Sequence, residues 1–170
     1  MSESLVELFK YNLWANERLF DACAGLSDAQ MDATVAGTFG TVRNTLMHIA
    51  GAQERVAAAL AEAGPLSTTI ERAPYPGLAA LRDATRASGE ALVELAARAE
   101  SGVTVTTSWR GEDFVLPTWL LIVQAIVHGV EHRTQVAAIL TQQGIEPPAM
   151  DGWTYHEACF DGDWSRLWAW

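Results

Sequence analysis

Four long segments of this chain carry apolar residues at intervals of three and four positions, the spacing typical of amphipathic helices. The segments run from about Ser4 to Ala24, Thr41 to Ala63, Gly77 to Glu100 and Pro117 to Gln143. A glycine follows the first, second and fourth segments, and glycine readily takes the left-handed conformation that ends a helix. The pattern predicts an all-α fold.

The fourth segment is apolar on nearly every side. Its apolar residues form two stripes, one with Trp119, Ile122, Val123, Ile126 and Val130 and the other with Leu121, Ala125, Val136 and Ile139. A helix that is apolar almost all round needs cover on most sides. We therefore expect it to be the central helix, or to form an oligomer contact as well.

The stretch between the third and fourth segments departs from helical spacing. The run from Val103 to Trp109 is rich in β-branched residues, and the apolar run Phe114 to Leu116 follows after a polar interruption. This pattern predicts a short β-hairpin that turns at Gly111. Because an isolated hairpin is only marginally stable, it should pack on the helices.

The C-terminal tail, residues 150–170, is rich in tryptophan. It contains four of the seven tryptophans, which are Trp153, Trp164, Trp168 and Trp170. Aromatic side chains bury large apolar areas and are common at interfaces and pocket walls. We expect the tail to pack across the helices or against a partner chain.

Length and composition narrow the classes of protein. A chain of 170 residues, 49% of them hydrophobic, suits a single domain over residues 1–170. The net charge is −10 and the basic residues are scattered, so we expect no nucleic-acid partner. No apolar run is long enough to cross a bilayer, and the N-terminus is unlike a secretory signal. Cys23 and Cys159 form no CxxC motif, which favours structural thiols in a reducing cytoplasm.

Two of the four histidines, His128 and His132, lie four residues apart in the fourth segment. Positions four apart on a helix differ by only about 40° around the axis, so both rings project from one face and can converge on a metal ion. The metalloprotease motif His-Glu-x-x-His is absent, since Gly129 stands where its glutamate would be. Burying two imidazoles without partners is costly, and His48 in the second segment could supply a third ring.

At three places the sequence resembles the DinB family of four-helix metalloproteins. The matching motifs are Tyr11-x-x-Trp14-Ala-Asn16-x-Arg-Leu in the first helix, Thr45-Leu-x-His48-Ile in the second, and His128-x-x-x-His132-Arg-x-Gln135 followed by Gly144-x-x-Pro147-Pro148-x-x-Asp151 in and after the fourth. The chain departs from the family pattern at Glu131 and Thr134, where the family commonly has histidine and glycine. These departures leave the three histidines intact.

The resemblance implies a four-helix bundle of the DinB/YfiT-like type, often a homodimer, in which His48, His128 and His132 hold one divalent metal ion. Three neutral imidazoles with an open fourth position form a Lewis-acid site that Zn²⁺, Ni²⁺, Fe²⁺ or Mn²⁺ could occupy. The family's characterised branches imply transfer or isomerisation of a small-molecule substrate with a low-molecular-weight thiol as co-substrate.

Other side chains are candidates for supporting roles. Metal-bound histidines usually donate their second N–H to an oriented partner, and the polar residues near the predicted site are Glu131, Gln135, Gln53 and Asn16. Glu131 is also the nearest carboxylate in sequence for general base catalysis, although it points about 100° away from His132. Trp14 or Asn16 could line a pocket between helices, and His156 in the tail could reach the site.

Three functions fit the sequence. The first is a metal-dependent enzyme for a small molecule, either a thiol transferase or isomerase or a hydrolase that uses metal-bound hydroxide. The second is a non-catalytic protein that binds a metal or small ligand in a stress response. The third is a helical dimer in which the histidines are structural.

Overall fold

The computed structural model describes residues 2–63, 70–100, 102–109 and 111–160 of the chain. These residues form six α-helices, one 3₁₀ turn and one β-hairpin. In chain order they are α1 (Ser2–Cys23), α2 (Asp28–Met31), α3 (Val42–Leu60), the 3₁₀ turn (Ile70–Arg72), α4 (Leu78–Arg98), β1 (Thr104–Trp109), β2 (Glu112–Pro117), α5 (Thr118–Gln142) and α6 (Gly152–Cys159). The predicted all-α fold with a hairpin before the last long helix is confirmed.

The four long helices form a bundle. α1 packs against α4 and α5, and α3 packs against the same two helices on the opposite side. In this arrangement α3 and α5 are neighbours, so side chains on their facing sides can meet. That contact brings the second and fourth predicted helices together, as a shared metal site requires.

Local sequence accounts for where the helices begin. The hydroxyl oxygen of Thr41 accepts a hydrogen bond from the Asn44 N–H at the start of α3, and Asp151 accepts from the Trp153 and Thr154 N–H groups at the start of α6. Such caps satisfy backbone donors that have no partner inside the helix. Gly144, with φ of 73°, takes the left-handed conformation just after α5.

The core consists of two apolar clusters near opposite ends of the bundle. Buried members of the first include Phe20, Leu46, Leu81, Val136 and Ile139; those of the second include Phe9, Val56, Leu92, Val105 and Leu121. Along α1, α3 and α4, buried polar residues lie between the two sets; these are Asn12, Asn16, Gln53, Thr85 and Ser88. A polar layer therefore crosses the middle of the bundle.

The β-hairpin pairs β1 with β2 in antiparallel register, with Thr104 opposite Pro117 and Trp109 opposite Glu112. Gly111, where φ is 87°, lies at the turn as predicted. Val105 is buried among residues of the second apolar cluster. The hairpin thus packs on the bundle.

In the described part of the tail, Tyr155 makes a buried contact with the bundle. Tyr155 is buried and donates a hydrogen bond to Glu7 on α1, whereas the Trp153 side chain is 53% exposed. Trp164, Trp168 and Trp170 lie outside the described residues, so their predicted packing stays a prediction.

The α5 helix is less completely covered than its composition suggests. Its exposed apolar side chains are Trp119, Leu120, Val123, Val127 and Val130. In this chain α5 is therefore not buried all round, and an apolar face remains open. Among the helices described, none combines the length and apolarity that a membrane span requires.

Candidate metal centre

The rings of His48, His128 and His132 meet between α3 and α5. Their centroids are 4.7 Å apart for His48 and His128, 4.6 Å for His48 and His132, and 4.3 Å for His128 and His132. One nitrogen from each ring lies within 4.8 Å of the corresponding nitrogen of the other two. The structure therefore brings together the three histidines that the sequence singled out.

Gln135 fixes the orientation of the His132 ring. The backbone N–H of Phe39 donates to Gln135 Oε1 at 3.0 Å, and His132 Nδ1 lies 2.9 Å from the same oxygen. An amide oxygen only accepts hydrogen bonds, so Nδ1 of His132 carries the proton and donates it. The Nε2 lone pair of His132 is then free to bind a metal.

Glu71 fixes the orientation of the His48 ring. Its carboxylate accepts a hydrogen bond from His48 Nδ1 with one oxygen and pairs with Arg55 through the other. A proton on Nδ1 leaves the His48 Nε2 lone pair free, and this atom lies 2.9 Å from His128 Nε2. Gly51 makes room for Glu71, since a Cβ there would lie 2.8 Å from Glu71 Cδ.

Burial keeps the imidazoles of His128 and His48 uncharged. It lowers the pKa of His128 to about 4, with a further lowering from the neighbouring His132 and His48 rings. Burial also lowers the pKa of His48, although the Glu71 carboxylate acts in the opposite direction. Both rings are neutral at pH 7, the form in which imidazole binds metals.

The arrangement fits a divalent transition metal. Nitrogen ligands about 2.0–2.1 Å from such an ion lie roughly 3.0–3.4 Å from one another. The 2.9 Å between the Nε2 atoms of His48 and His128 is close to that separation. Three nitrogen donors, two of them with their second N–H held by an oriented acceptor, form the donor set typical of zinc and similar ions.

Phe39 covers one side of the three rings. Its ring stacks on His48 with centroids 4.0 Å apart and an interplanar angle of 12°, and it meets His132 edge-on at 5.3 Å. The hydrogen bond from its backbone to Gln135 ties this loop residue to α5. Phe39 thus restricts the ring positions of two candidate ligands.

A cavity of about 160 Å³ opens beside His128. Its apolar walls come from α3 and α5, and its polar residues include Asn12, Gln53 and Arg55. Apolar side chains in the wall are Ile49, Ala52, Val56, Leu121 and Ala125. A small molecule in this cavity would contact a candidate metal ligand directly.

Behind the cavity lies a buried hydrogen-bond network. Arg133, only 2% exposed, donates from Nη1 to Asn12 Oδ1 at 2.7 Å and to Asn16 Oδ1 at 2.8 Å. Both asparagine amides donate in turn to Gln53 Oε1, at 3.1 and 3.0 Å. Gln53 Nε2 donates to Thr85 O and Ser88 Oγ on α4. The network joins all four long helices.

The remaining predicted site residues are not members of the three-histidine group. Asn16 and Gln53 belong to the buried network, whereas Trp14 packs against Tyr155 with ring centroids 5.3 Å apart. His156 packs on Phe160 at 4.9 Å and is not a member of the three-histidine group. Glu131 is exposed on α5, and its role as a general base stays a prediction.

Sequence patterns did not reveal Glu71, Phe39 or Asn12 as neighbours of the site. Glu71 and Phe39 lie outside the long helices, where no periodicity indicates a facing side chain. Asn12 was visible as a polar residue among large apolar ones in α1, which is the signal that could have pointed to it.

Comparison with known proteins shows the family and the fold of the chain. The sequence model of the DinB family matches residues 1–164. A DinB-like protein from Bacillus cereus ATCC 10987 has a similar structure, with a TM-score of 0.65 and 18% sequence identity over 86% of this chain and 95% of that one. At this identity the likeness shows the fold alone. A search of curated proteins finds no match to the chain.

Proposed function

The chain belongs to the DinB family, and from this premise we propose that it is a divalent-metal-dependent enzyme that acts on a small molecule. The reaction class we propose is thiol-dependent S-transfer or isomerisation. The observation that carries the proposal is the meeting of three imidazole nitrogens within 4.8 Å of one another at the edge of a cavity.

The chemistry of the donor set supports an anionic co-substrate such as a thiolate. Three neutral imidazoles leave the double positive charge of a divalent ion uncompensated, and the thiolate rather than the thiol is the form of cysteine-like sulfur that binds metals. When bound, the metal would supply Lewis-acid stabilisation of that anion.

The protein's own residues position the reaction. Gln135 and Glu71 hold the His132 and His48 rings, so little rearrangement is needed when the ligands close on an ion. Apolar residues flank His128 in the cavity wall, so a ligand bound there would displace water, and electrostatic interactions are stronger where water is excluded.

We also propose that the protein acts as a homodimer in the cytoplasm. The open apolar face of α5 supports the dimer, because contiguous exposed apolar side chains mark interaction surfaces. The free thiols of Cys23 and Cys159 suit a reducing compartment. The net charge of −10 argues against a nucleic-acid partner.

A thiol assay tests the enzymatic proposal. The metal-loaded protein would be incubated with glutathione, bacillithiol or mycothiol and a panel of electrophiles, and loss of the thiol would be followed. We expect turnover that falls at least a hundredfold in His48→Ala and is retained in His156→Ala, whose ring lies outside the three-histidine group.

Equal rates in the wild-type protein and His48→Ala would contradict catalysis at this site. Absence of thiol turnover together with metal-dependent ester hydrolysis would replace the thiol reaction with a hydrolase. Metal binding without any turnover would favour a non-catalytic binding protein.

A further inference from the structure

The cavity beside His128 has positively charged groups in or behind its wall, although much of that wall is apolar. Arg133 donates to the oxygens of Asn12 and Asn16 and has no acceptor to offer. Both asparagines must therefore turn their NH₂ groups away from Arg133, toward Gln53. The network is oriented from the guanidinium outward, and two of its members, Asn12 and Gln53, line the cavity.

In the described parts of the chain, the Arg133 guanidinium behind this wall has no carboxylate partner. Within the described parts of the chain, Arg133 forms no ion pair, and its Nη2 atom is buried without a hydrogen-bond acceptor. Gly129 also lines the cavity, and a Cβ there would lie only 2.9 Å from Arg133 Nη1. The cavity wall is thus thin at the point nearest the guanidinium.

The charged residue that lines the cavity also favours an anionic ligand. Arg55 lines the cavity, and Glu71, its partner, lies outside the lining. No aspartate or glutamate occurs among the lining residues in the described portion of the structure. An anion in the cavity would contact the Arg55 guanidinium, which Glu71 partly neutralises from outside the lining, and would lie near the buried charge of Arg133 behind the wall. A cation would be repelled by both guanidinium groups.

The volume limits the size of the apolar part of a ligand. An apolar cavity of about 150 Å³ can hold a benzene molecule, and this cavity measures about 160 Å³. A body of about six carbon atoms would fill it, in contact with Ile49, Val56 and Leu121.

We propose that this cavity binds a small organic anion, a carboxylate or thiolate with an apolar body of about six carbon atoms, whose charged head lies on the His128 side. This proposal names the substrate class of the same site and rests on the proposed metal-dependent function. The apolar body contacts the apolar walls, while the lining Arg55 and the buried charge of Arg133 behind the wall favour the negative head.

Isothermal titration of the metal-loaded protein with matched ligands tests the proposal. Hexanoate carries an anionic head, and 1-hexanethiol carries a head that becomes anionic when it loses its proton on binding a metal. The ligands 1-hexanol and hexylammonium have the same body with neutral and positive heads, and acetate has the head without the body. We expect hexanoate or hexanethiol to bind at least tenfold more tightly than 1-hexanol and acetate, with no binding of hexylammonium. The relative affinities of hexanoate and hexanethiol distinguish a carboxylate ligand from a thiolate.

Variants separate the cavity from the metal site. Ala125→Leu fills the cavity and should weaken binding of the preferred anion at least tenfold, with metal affinity retained. Ala138→Leu makes the same change at an exposed position of α5 and should have no effect. Asn12→Asp would place a carboxylate against Arg133 and compensate its charge, so it should also weaken binding of the anion.

Equal binding of hexanoate and acetate, binding of hexylammonium, or full anion binding by Ala125→Leu would overturn the proposal while leaving the metal site standing. A metal titration performed first identifies the other failure: if no divalent ion binds, the proposed function and this proposal fall together. Melting of each variant, followed by circular dichroism, verifies that it is folded.

Discussion

Glu71 contacts a candidate metal ligand, His48, and the guanidinium of Arg55 at the same time. One carboxylate oxygen holds His48 Nδ1 and the other pairs with Arg55, and the absence of a side chain at Gly51 makes room for it. Because the hydrogen bond to Nδ1 sets both the tautomer and the orientation of the ring, Glu71 is a positioning residue for the metal site.

Replacing Glu71 by glutamine should weaken metal binding by about 10- to 100-fold, the effect typical of losing a carboxylate behind a ligating histidine. A competition titration against a chromophoric chelator measures the change. Glu54→Gln is the matched control, because it removes a partly buried negative charge near Glu71 from a residue outside the three-histidine group. Equal metal affinities of Glu71→Gln and the wild-type protein would contradict the positioning role.

Gly129 occupies the position where the metalloprotease motif has its glutamate, and the structure explains the glycine. A Cβ at this position would lie 2.8 Å from Asn12 Oδ1 and 2.9 Å from Arg133 Nη1, and both side chains are buried in the network. The close approach of α1 and α5 at this point therefore requires a residue without a side chain.

Gly129→Ala should lower the free energy of unfolding by about 1–3 kcal/mol, since overpacking in a buried network outweighs the gain in helix propensity. Gly152→Ala, at the start of α6 with no atom within 4 Å of its added Cβ, should change it by less than about 0.5 kcal/mol. Urea denaturation measures both. A Gly129→Ala protein as stable as the wild type would contradict this prediction, because it would show that the network side chains move to accommodate the methyl group.

The α5 helix has two different faces. One carries His132, Val136 and Ile139 into the bundle, and the other leaves Trp119, Val123 and Val127 exposed. The apolar pattern of the sequence predicted a buried central helix, or one that also forms an oligomer contact. Packing within one chain accounts for the buried face of α5. A second copy of the chain would cover the exposed face.

Val127→Lys should convert a dimer into a monomer, because a charge in the middle of the exposed apolar stripe would be desolvated without a partner. Light scattering coupled to size exclusion measures the mass. Ala79→Lys, at an exposed position of α4, adds the same charge away from the stripe and should remain dimeric. A wild-type protein that is monomeric at micromolar concentration would contradict the proposed homodimer.

Periodicity predicted the long helices well and their ends to within three residues. α3, for example, was expected over Thr41 to Ala63 and is observed over Val42–Leu60. The difference at the N-terminus is the cap itself, since Thr41 accepts the Asn44 N–H and is not yet helical. Helix ends depend on such local competition, which apolar spacing does not report.

At the scale of the whole molecule, the site follows from which helices are neighbours. His128 and His132 share a face because of their spacing, and His48 joins them because α3 packs beside α5. The spacing was readable in the sequence, and the resemblance to the DinB family supplied the third ligand. Glu71 was not predictable, because its position follows from how the 3₁₀ turn folds back on α3.

The same neighbour relations explain the position of the charged network. Arg133 follows His132 directly on α5, so a helix that presents one residue to the metal site presents the next to Asn12 and Asn16 on α1. In the sequence motif His132-Arg-x-Gln135, His132 is a candidate metal ligand, Arg133 belongs to the buried network, and Gln135 accepts the hydrogen bond from His132. Sequence spacing alone does not reveal which residue serves which contact.

The most direct test of the account is the number of divalent ions that the metal-stripped protein binds at pH 7. Titration with Zn²⁺ or Co²⁺, read by calorimetry and by the visible spectrum of Co²⁺, should give one ion per chain in the wild-type protein and in His156→Ala. His48→Ala and His128→Ala should lose at least a hundredfold in affinity while circular dichroism shows unchanged helix content. A stripped wild-type protein that binds no ion, or an affinity that survives removal of either histidine, would contradict the three-histidine metal site.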